Sequence, residues 1–317
     1  MSQTMKPAIT IVIPVYNRGD IVSATLSSIA AQTYRPFDVI LIDNNSTDNT
    51  LHTLDAWKQS MTSSQAGKGI RITVTGCTRA GASAARNTGL DLVTTPWVMF
   101  FDSDDIMGPD HVAITVKDIE NNPDADIIGW NTKILDKKGN KSRISRFHTD
   151  NVSWRNLFNG MLSTQHYCAR TCMMRQAGGW NEEVHYWIDI ELGARLLSQS
   201  PHIIKSDTGD NNRVIVIRSD NSITGTPDTD PARIEPALRS IEFSTPGGCK
   251  NRILLKKIIE AAICSRAGSH KGKELLKNTL QECDGIYMKW LLCQAYFYTM
   301  WGGRGIALLY RILHLLR

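Results

Sequence analysis

The segment Trp97-Val98-Met99-Phe100-Phe101-Asp102-Ser103-Asp104-Asp105 decides how this chain is read. Five large apolar residues in a row suit a strand covered on both faces, as in a parallel sheet clad with helices. The strand stops abruptly at three carboxylates within four residues. Such a cluster repels itself unless a cation is close. A hard divalent ion with oxygen ligands neutralises it and can also hold a diphosphate. The plainer reading is an Asp-rich turn that caps a helix beginning near Pro109.

Three further strand–helix units precede this segment. ITIVIPV (9–15) reads as a strand buried on both faces, with Pro14 expected to close it, and FDVILI (37–42) and IRITVT (70–75) as the second and third strands. Asp20 is placed to cap a helix whose apolar stripe is Val22, Leu26, Ile29 and Ala30. A second helix carries Leu51, Leu54 and Trp57, and a third is lined by Ala82, Ala84 and Ala85. This order predicts an α/β fold, a mostly parallel mixed sheet with helices on both faces. Ligands of such sheets sit at the carboxyl ends of the strands, where YNR, DNNSTD and DSDD all fall. Downstream the pattern predicts a helix over 112–121, strands near 126–132, 167–175 and 213–219, and a helix over 188–199. The stretch TGTPDTDPAR (224–233) marks a boundary between an α/β domain, 1–228, and a helical segment, 229–317.

Of the 317 residues, 42% are apolar and 21% charged, the balance of a folded chain. The net charge of +5 is unevenly spread: residues 229–317 hold 14 Lys/Arg against 7 Asp/Glu, residues 1–228 hold 22 against 24. A basic tail suits anionic lipid, a phosphorylated acceptor or nucleic acid, and equally a solvated helix surface. Nucleic acid is disfavoured, because the charge lies outside the α/β domain and no recognition motif accompanies it. Seven cysteines with no CxxC pair argue against a disulfide framework or zinc cluster and fit a reducing compartment. Cys168 and Cys172 lack the partners a metal site needs. No apolar leader and no run of about 18 apolar residues is present. The expected location is the cytoplasm, with peripheral contact at the inner face of the plasma membrane. Residues 286–317, rich in Trp, Tyr and Leu, carry that contact as an interfacial helix or else pack on the α/β domain.

Six segments taken together resemble family 2 glycosyltransferases of the GT-A fold. They are ITIVIPVYNR (9–18), FDVILIDNNSTDNT (37–50), RAGASAARNTGL (79–90), WVMFFDSDD (97–105), GGWNEEVHYWIDIELGARLL (178–197) and RVIVIRSDNSITG (213–225), in that order. The resemblance implies an inverting, metal-dependent transferase that moves a sugar from a nucleotide diphosphate, a UDP-sugar, to a hydroxyl of a glycan or lipid-linked glycan. Bacterial surface polysaccharide or glycolipid synthesis is the implied setting. It assigns Asp43 to the uracil N3–H, Pro14, Tyr16 and Asn17 to the same pocket, and Asp102 to the ribose or donor sugar. It makes Asp104 the ligand of Mg²⁺ or Mn²⁺ and Asp189 the general base, with Glu191 as rival. Arg86 is read on a phosphate or donor hydroxyl, or alternatively in an ion pair with Asp102 or Asp43. Asn44 and Asn45 stand where the family often has an acid and a glycine, and Ile188 where it usually has Glu. Trp180 is a stacking platform for an acceptor or a core residue, and Gly193 is expected to leave room for the acceptor. Arg218 and Ser222 to Thr224 match a closing lid. Two rivals remain: an inactive nucleotide-sugar-binding subunit, and a nucleotidyltransferase. The second needs a glycine-rich basic loop, which PVYNRGD (14–20) does not supply.

Overall fold

β1 (Ile9–Val15) is the centre of the molecule, with every residue buried except half-buried Pro14. In the computed structural model, which describes residues 7–136, 141–206, 213–217, 230–244 and 250–303, β1 is flanked by β2 (Phe37–Asp43) and by β4 (Trp97–Phe100), both parallel to it. β3 (Ile70–Gly76) extends the sheet beyond β2. Ile9, Ile11, Val12 and Ile13 are fully shielded from solvent, and each such side chain contributes about 1.5–3 kcal/mol of burial free energy. Pro14 does not end the strand; it pairs in register with Ile42. The β1–β4 ladder stops at Val12, whose carbonyl takes the Phe101 N–H. Residues 12 and 14 face the same side of the strand. The missing N–H of Pro14 therefore points where the ladder has already ended.

Helices α1 (Val22–Ala30), α2 (Thr50–Ser63) and α3 (Ala82–Leu92) link these strands. Asp20 does not cap α1. The residue before the helix is Ile21, without a side-chain cap, and the Arg18 carbonyl accepts from the backbone of Ile21 and Val22 instead. α3 lies tight on the sheet: a Cβ on Gly89 would stand 2.4 Å from Val12 Cγ1 and 2.8 Å from Ile42 Cδ1.

After β4 come β5 (Ile106–Met107), α4 (His111–Asn121), β6 (Ile127–Gly129), β7 (Thr132–Leu135), β8 (Ser142–Ser145) and α5 (Val152–Asn159). Next are β9 (Tyr167–Arg170), α6 (Thr171–Gln176), α7 (Ile188–Ser198), β10 (Ile203–Lys205) and β11 (Val214–Ile217). The seven-stranded sheet runs β10-β6-β9-β4-β1-β2-β3, with β9 antiparallel to both its neighbours. A smaller sheet, β5-β11-β7-β8, lies apart from it. The mixed, mostly parallel architecture is as the sequence predicts. The strand expected over 126–132 divides between the two sheets at Gly129, where any Cβ would meet the Phe147 ring within 2.4 Å. The strand expected over 167–175 ends at Arg170, and Met173 and Met174 are buried from a short helix. The predicted stretch 224–229 falls outside the described residues.

The C-terminal part holds α8 (Glu235–Ser244), α9 (Lys250–Arg266), α10 (His270–Glu282) and α11 (Ile286–Met300). These helices share one apolar cluster with the α/β part: Trp154, Leu157 and Phe158 of α5 and Ala194 of α7 pack with Leu238, Ile258 and Tyr296. α11 buries Leu292, Ala295 and Tyr296. Its opposite face exposes Tyr287, Trp290, Phe297 and Trp301, by 63%, 55%, 53% and 88%. Among the described residues no helix is long and apolar enough to cross a membrane.

Candidate functional site

The carboxyl ends of β1, β2 and β4 bring the acidic loops together as expected. The β1 loop is folded by Asn17, which adopts left-handed backbone with φ 49°. Its Oδ1 accepts from the Thr47 N–H at 2.8 Å, and its own N–H donates to Ser46 Oγ at 3.0 Å. Asn17 thus joins the β1 and β2 loops. Tyr16 beside it stays 57% exposed, and Pro14 is half-buried. Asp43 is the last residue of β2; Oδ2 accepts from Ser46 N–H at 3.3 Å, while Oδ1 is buried without a partner among the described residues. A buried carboxylate oxygen lacking a donor is costly unless a ligand supplies one.

Asn44 does a task no carboxylate does. Its amide nitrogen donates to the Cys77 and Arg79 carbonyls, at 3.2 and 2.6 Å, and its oxygen accepts from Gly81 N–H at 2.9 Å. The substitution ties the β2 loop to the start of α3, while Asn45 takes the left-handed conformation, φ 60°.

The turn after β4 sorts its three acids. Asp102 accepts from Arg86 Nη2 at 2.7 Å. Asp104 pairs with Arg18 at 3.3 Å. Burial raises the Asp104 pKa, and the neighbouring Asp102 charge adds to this while Arg18 opposes it. Asp105 is buried and accepts from the Ile217 N–H of β11 at 2.9 Å. Burial, reinforced by the Asp102 charge, pushes its pKa well up. It does not cap the following helix. Half-buried Asp102 and Asp104 supply hard oxygen donors whose mutual repulsion a divalent cation would relieve, so the residues fit Mg²⁺ or Mn²⁺. Among the described residues no group of three His, Cys, Asp or Glu side chains forms a ready-made metal cage. The remaining ligands of a cation here would come from diphosphate and water.

Arg86 is buried beside the β4 turn. Besides its ion pair with Asp102, its guanidinium lies 4.5 Å from the Trp180 ring centre. Its Nε and Nη1 are buried without hydrogen-bond partners among the described residues. Trp180 is 2% exposed and meets Phe100 edge-on at 5.3 Å. It is therefore a core residue that supports Arg86, and it offers no face to an acceptor. Asn87 brackets the Trp180 backbone, accepting from its N–H and donating to its carbonyl, both at 2.8 Å.

Asp189 sits in the first turn of α7, half-buried, where Thr164 Oγ1 donates to it at 2.8 Å. Burial raises its pKa; Arg86 opposes this and Asp102 adds to it. Asp102, Arg86 and Asp189 thus lie within electrostatic reach of one another. Glu191 is the structural acid of this helix. It is fully buried, takes two 2.7 Å bonds from Arg195, and accepts from the Ser240 hydroxyl. With its side chain fully buried, it presents no surface to an acceptor. Gly193 does not open space for a ligand; a Cβ there would strike the Asn156 amide at 2.6 Å. Trp187, just before the helix, adopts left-handed backbone with φ 57°, a conformation that costs a bulky residue about 1–3 kcal/mol.

The histidines serve the fold or the surface. His166 is buried between Thr132 Oγ1 and the Met161 carbonyl and is pushed down to about 4 by that burial, while His185 is exposed and His202 bonds the Asp124 carbonyl. Cys168 is buried in β9 and Cys172 exposed. Arg18, Thr164 and Asn87 are site residues that the sequence alone does not single out. Arg18 carries a signal, being the cation of the YNR loop; Thr164, from a turn 25 positions before Asp189, carries none. The lid residues Arg218 and Ser222 to Thr224 lie outside the described residues.

Comparison with known proteins agrees with this geometry. The family model described as glycosyl transferase family 2 matches residues 10–178. A PGL/p-HBAD biosynthesis glycosyltransferase of Mycobacterium bovis is 34% identical over 99 residues, 31% of this chain and 36% of that one. The amylovoran biosynthesis glycosyltransferase AmsB of Erwinia amylovora is 37% identical over 98 residues, 30% of each chain. The matched stretch thus spans about a third of the length of these curated relatives. Residues 1–349 of S. aureus TarS superpose with a TM-score of 0.66 at 17% identity, covering 96% of this chain and 91% of that one. The mannosyltransferase PcManGT of Pyrobaculum calidifontis, in complex with GDP-Man and Mn²⁺, gives 0.52 at 17% identity, covering 94% and 88%. At such identity these structures speak for the fold, and TarS supports the GT-A architecture through the helical C-terminal part as well. Because the family model takes in more than half of its residues, the chain belongs to glycosyl transferase family 2.

Proposed function

We propose that the chain transfers a sugar from a UDP-sugar to a hydroxyl of a glycan or lipid-linked glycan, with inversion at the anomeric carbon. The observation that carries this reading is Arg86, ion-paired with Asp102 at 2.7 Å and exerting its charge on Asp189. It stands between the turn proposed to hold the diphosphate and the proposed base, within electrostatic reach of both. Asp43, Pro14, Tyr16 and Asn17 receive the nucleoside, the orphaned Oδ1 of Asp43 taking the uracil N3–H. Asp102 holds the ribose or donor sugar, and Arg86 offers its two unpartnered donors to phosphate. Mg²⁺ or Mn²⁺, held by Asp104, supplies charge stabilisation to the departing diphosphate when bound. Asp189 accepts the proton of the acceptor hydroxyl as its oxygen bonds to the anomeric carbon. The bond from that carbon to the diphosphate breaks on the opposite face, and UDP leaves with the electron pair.

The names of the Mycobacterium and Erwinia relatives, with TarS complexes of UDP and of UDP-GlcNAc, support a nucleotide-sugar donor and a cell-surface product. The setting proposed is the cytoplasmic face of the membrane, met by the outward aromatic stripe of α11. Trp and Tyr favour the headgroup region, and the tail is basic. Binding to anionic phosphatidylglycerol vesicles should fall when Trp290 and Trp301 become Ala; unchanged binding removes the membrane from the reading.

The test of the transferase is a screen of UDP- and GDP-sugars with Mn²⁺, first by thermal unfolding, then by turnover with the anomeric configuration of the product read by NMR. An α-linked UDP-sugar should protect and yield a β-linked product. An α-linked product refutes inversion. Protection without turnover by any acceptor points to the inactive binding subunit.

A further inference from the structure

We infer that the C-terminal helices form part of the acceptor side of the site, with Lys256 of α9 acting as a positioning residue for Asp189 through Trp187. The inference rests on the proposed role of Asp189 as base.

Trp187 lies two residues before Asp189, in the left-handed conformation that a large L side chain keeps only where its surroundings hold it. What holds it comes from the far end of the chain. The Lys256 ammonium lies 4.3 Å from the Trp187 ring centre and 5.9 Å from that of Phe158. Its side chain is 9% exposed and pairs with Glu260 at 3.2 Å. An ammonium largely withdrawn from water over a Trp face is the strong form of the cation–π contact.

The same pattern recurs on either side. Arg233 donates to the Tyr186 hydroxyl at 2.9 Å, with its guanidinium 5.3 Å from that ring. Ser240 of α8 donates to Glu191. Residues 186, 187 and 191 are thus each gripped by the C-terminal helices. Asp189, between them, takes its hydrogen bond from Thr164 of the α/β part. The first turn of α7 is thus held from both parts of the chain. Thr164 and Asn156 of the α/β part bond Asp189 and the Ile190 carbonyl, while the Trp187 ring just before it is held by an ammonium that the α/β fold does not supply. The line along which the Asp189 carboxylate meets an acceptor therefore depends on the C-terminal helices too. A cation–π contact that served only to hold helices together would change melting temperature alone. One that aims a base changes kcat at constant donor affinity, because small displacements of a reacting group cost rate steeply.

The experiment uses the full chain with Mn²⁺ and the UDP-sugar that the wild type turns over. Lys256→Met keeps the stem and removes the charge. It should lower kcat on the order of ten- to a hundredfold, leave the donor KM unchanged, and quicken amide exchange across 186–191 measured by mass spectrometry. Lys256→Arg should restore both readouts. If Lys256→Met does not accumulate as folded protein, Trp187→Leu removes the ring face and should give the same two changes. Wild-type kcat in a folded variant overturns the inference, as does a loss of kcat matched by a loss of donor affinity. A wild type that turns over no nucleotide sugar overturns the transferase reading and this one with it; turnover that survives the substitution overturns this one alone.

Discussion

The turn after β4 and the first turn of α7 both gather acids, and both divide them between chemistry and architecture by different means. In the β4 turn the half-buried pair meets full cations, Arg86 on Asp102 and Arg18 on Asp104, while Asp105 is buried against a backbone N–H. At the start of α7 the cation goes to the structural acid, Arg195 to Glu191, and among the described residues Asp189 receives a neutral hydroxyl. The difference suits the two tasks. A carboxylate that holds a metal must stay ionised, whereas a base must be ready to take a proton, and a direct cation would weaken it. Hydrogen-bond partners, more than sequence position, assign each carboxylate its part.

That contrast can be broken from either side. The largest effect expected is for Asp189→Asn, which should cost about 10²–10⁴ in kcat while donor-induced thermal protection persists. Because burial raises the folded pKa of Asp189 above its unfolded value, its ionisation costs stability as pH rises through that window. The Asn variant should therefore melt no lower than wild type at pH 7; a marked drop would mean the side chain is structural. Glu191→Ala strands Arg195 with its guanidinium mostly buried and should cost about 3–5 kcal/mol in denaturant unfolding. A loss of activity without that destabilisation would exchange the roles of the two acids. Asp104→Ala should remove the cation-dependent part of donor protection, worth about 2.7 kcal/mol at a donor concentration of 100 Kd; protection that survives moves the metal elsewhere. Smallest is Thr164→Val, about 1 kcal/mol. The Thr164 bond lowers the Asp189 pKa, so its loss should carry the acidic limb of kcat/KM to higher pH. A shift the other way would put Thr164 on the protonated form.

The first hundred residues were legible because buried parallel strands announce themselves: ITIVIPV and FDVILI have no polar face to disguise them. The loops at their ends were legible for a related reason, since a polar run directly after such a strand must lie at the carboxyl edge of the sheet. What lay beyond reading was contact between distant positions. Trp180 looks the same in sequence whether it stacks on a sugar or lies beneath Arg86. Gly193 suggests space, yet its space is filled by Asn156 from another helix. Asp20 is a good capping residue by type, but left-handed Asn17 turns the chain so that the Arg18 carbonyl reaches the helix start first. The short strands β8 and β10 and the helix α5 passed unmarked because three to eight residues carry too little periodicity to stand out.

Gly89 sits one turn beyond Arg86, on the side of α3 turned toward the sheet, with no clearance for even a methyl group. Anyone retargeting this protein to a new sugar by randomising the cleft lining would leave position 89 alone as remote. Yet any side chain introduced there must prise the helix off Val12 and Ile42 and carry the guanidinium out of alignment. A library built for altered specificity is thus constrained from behind the cleft as firmly as from within it.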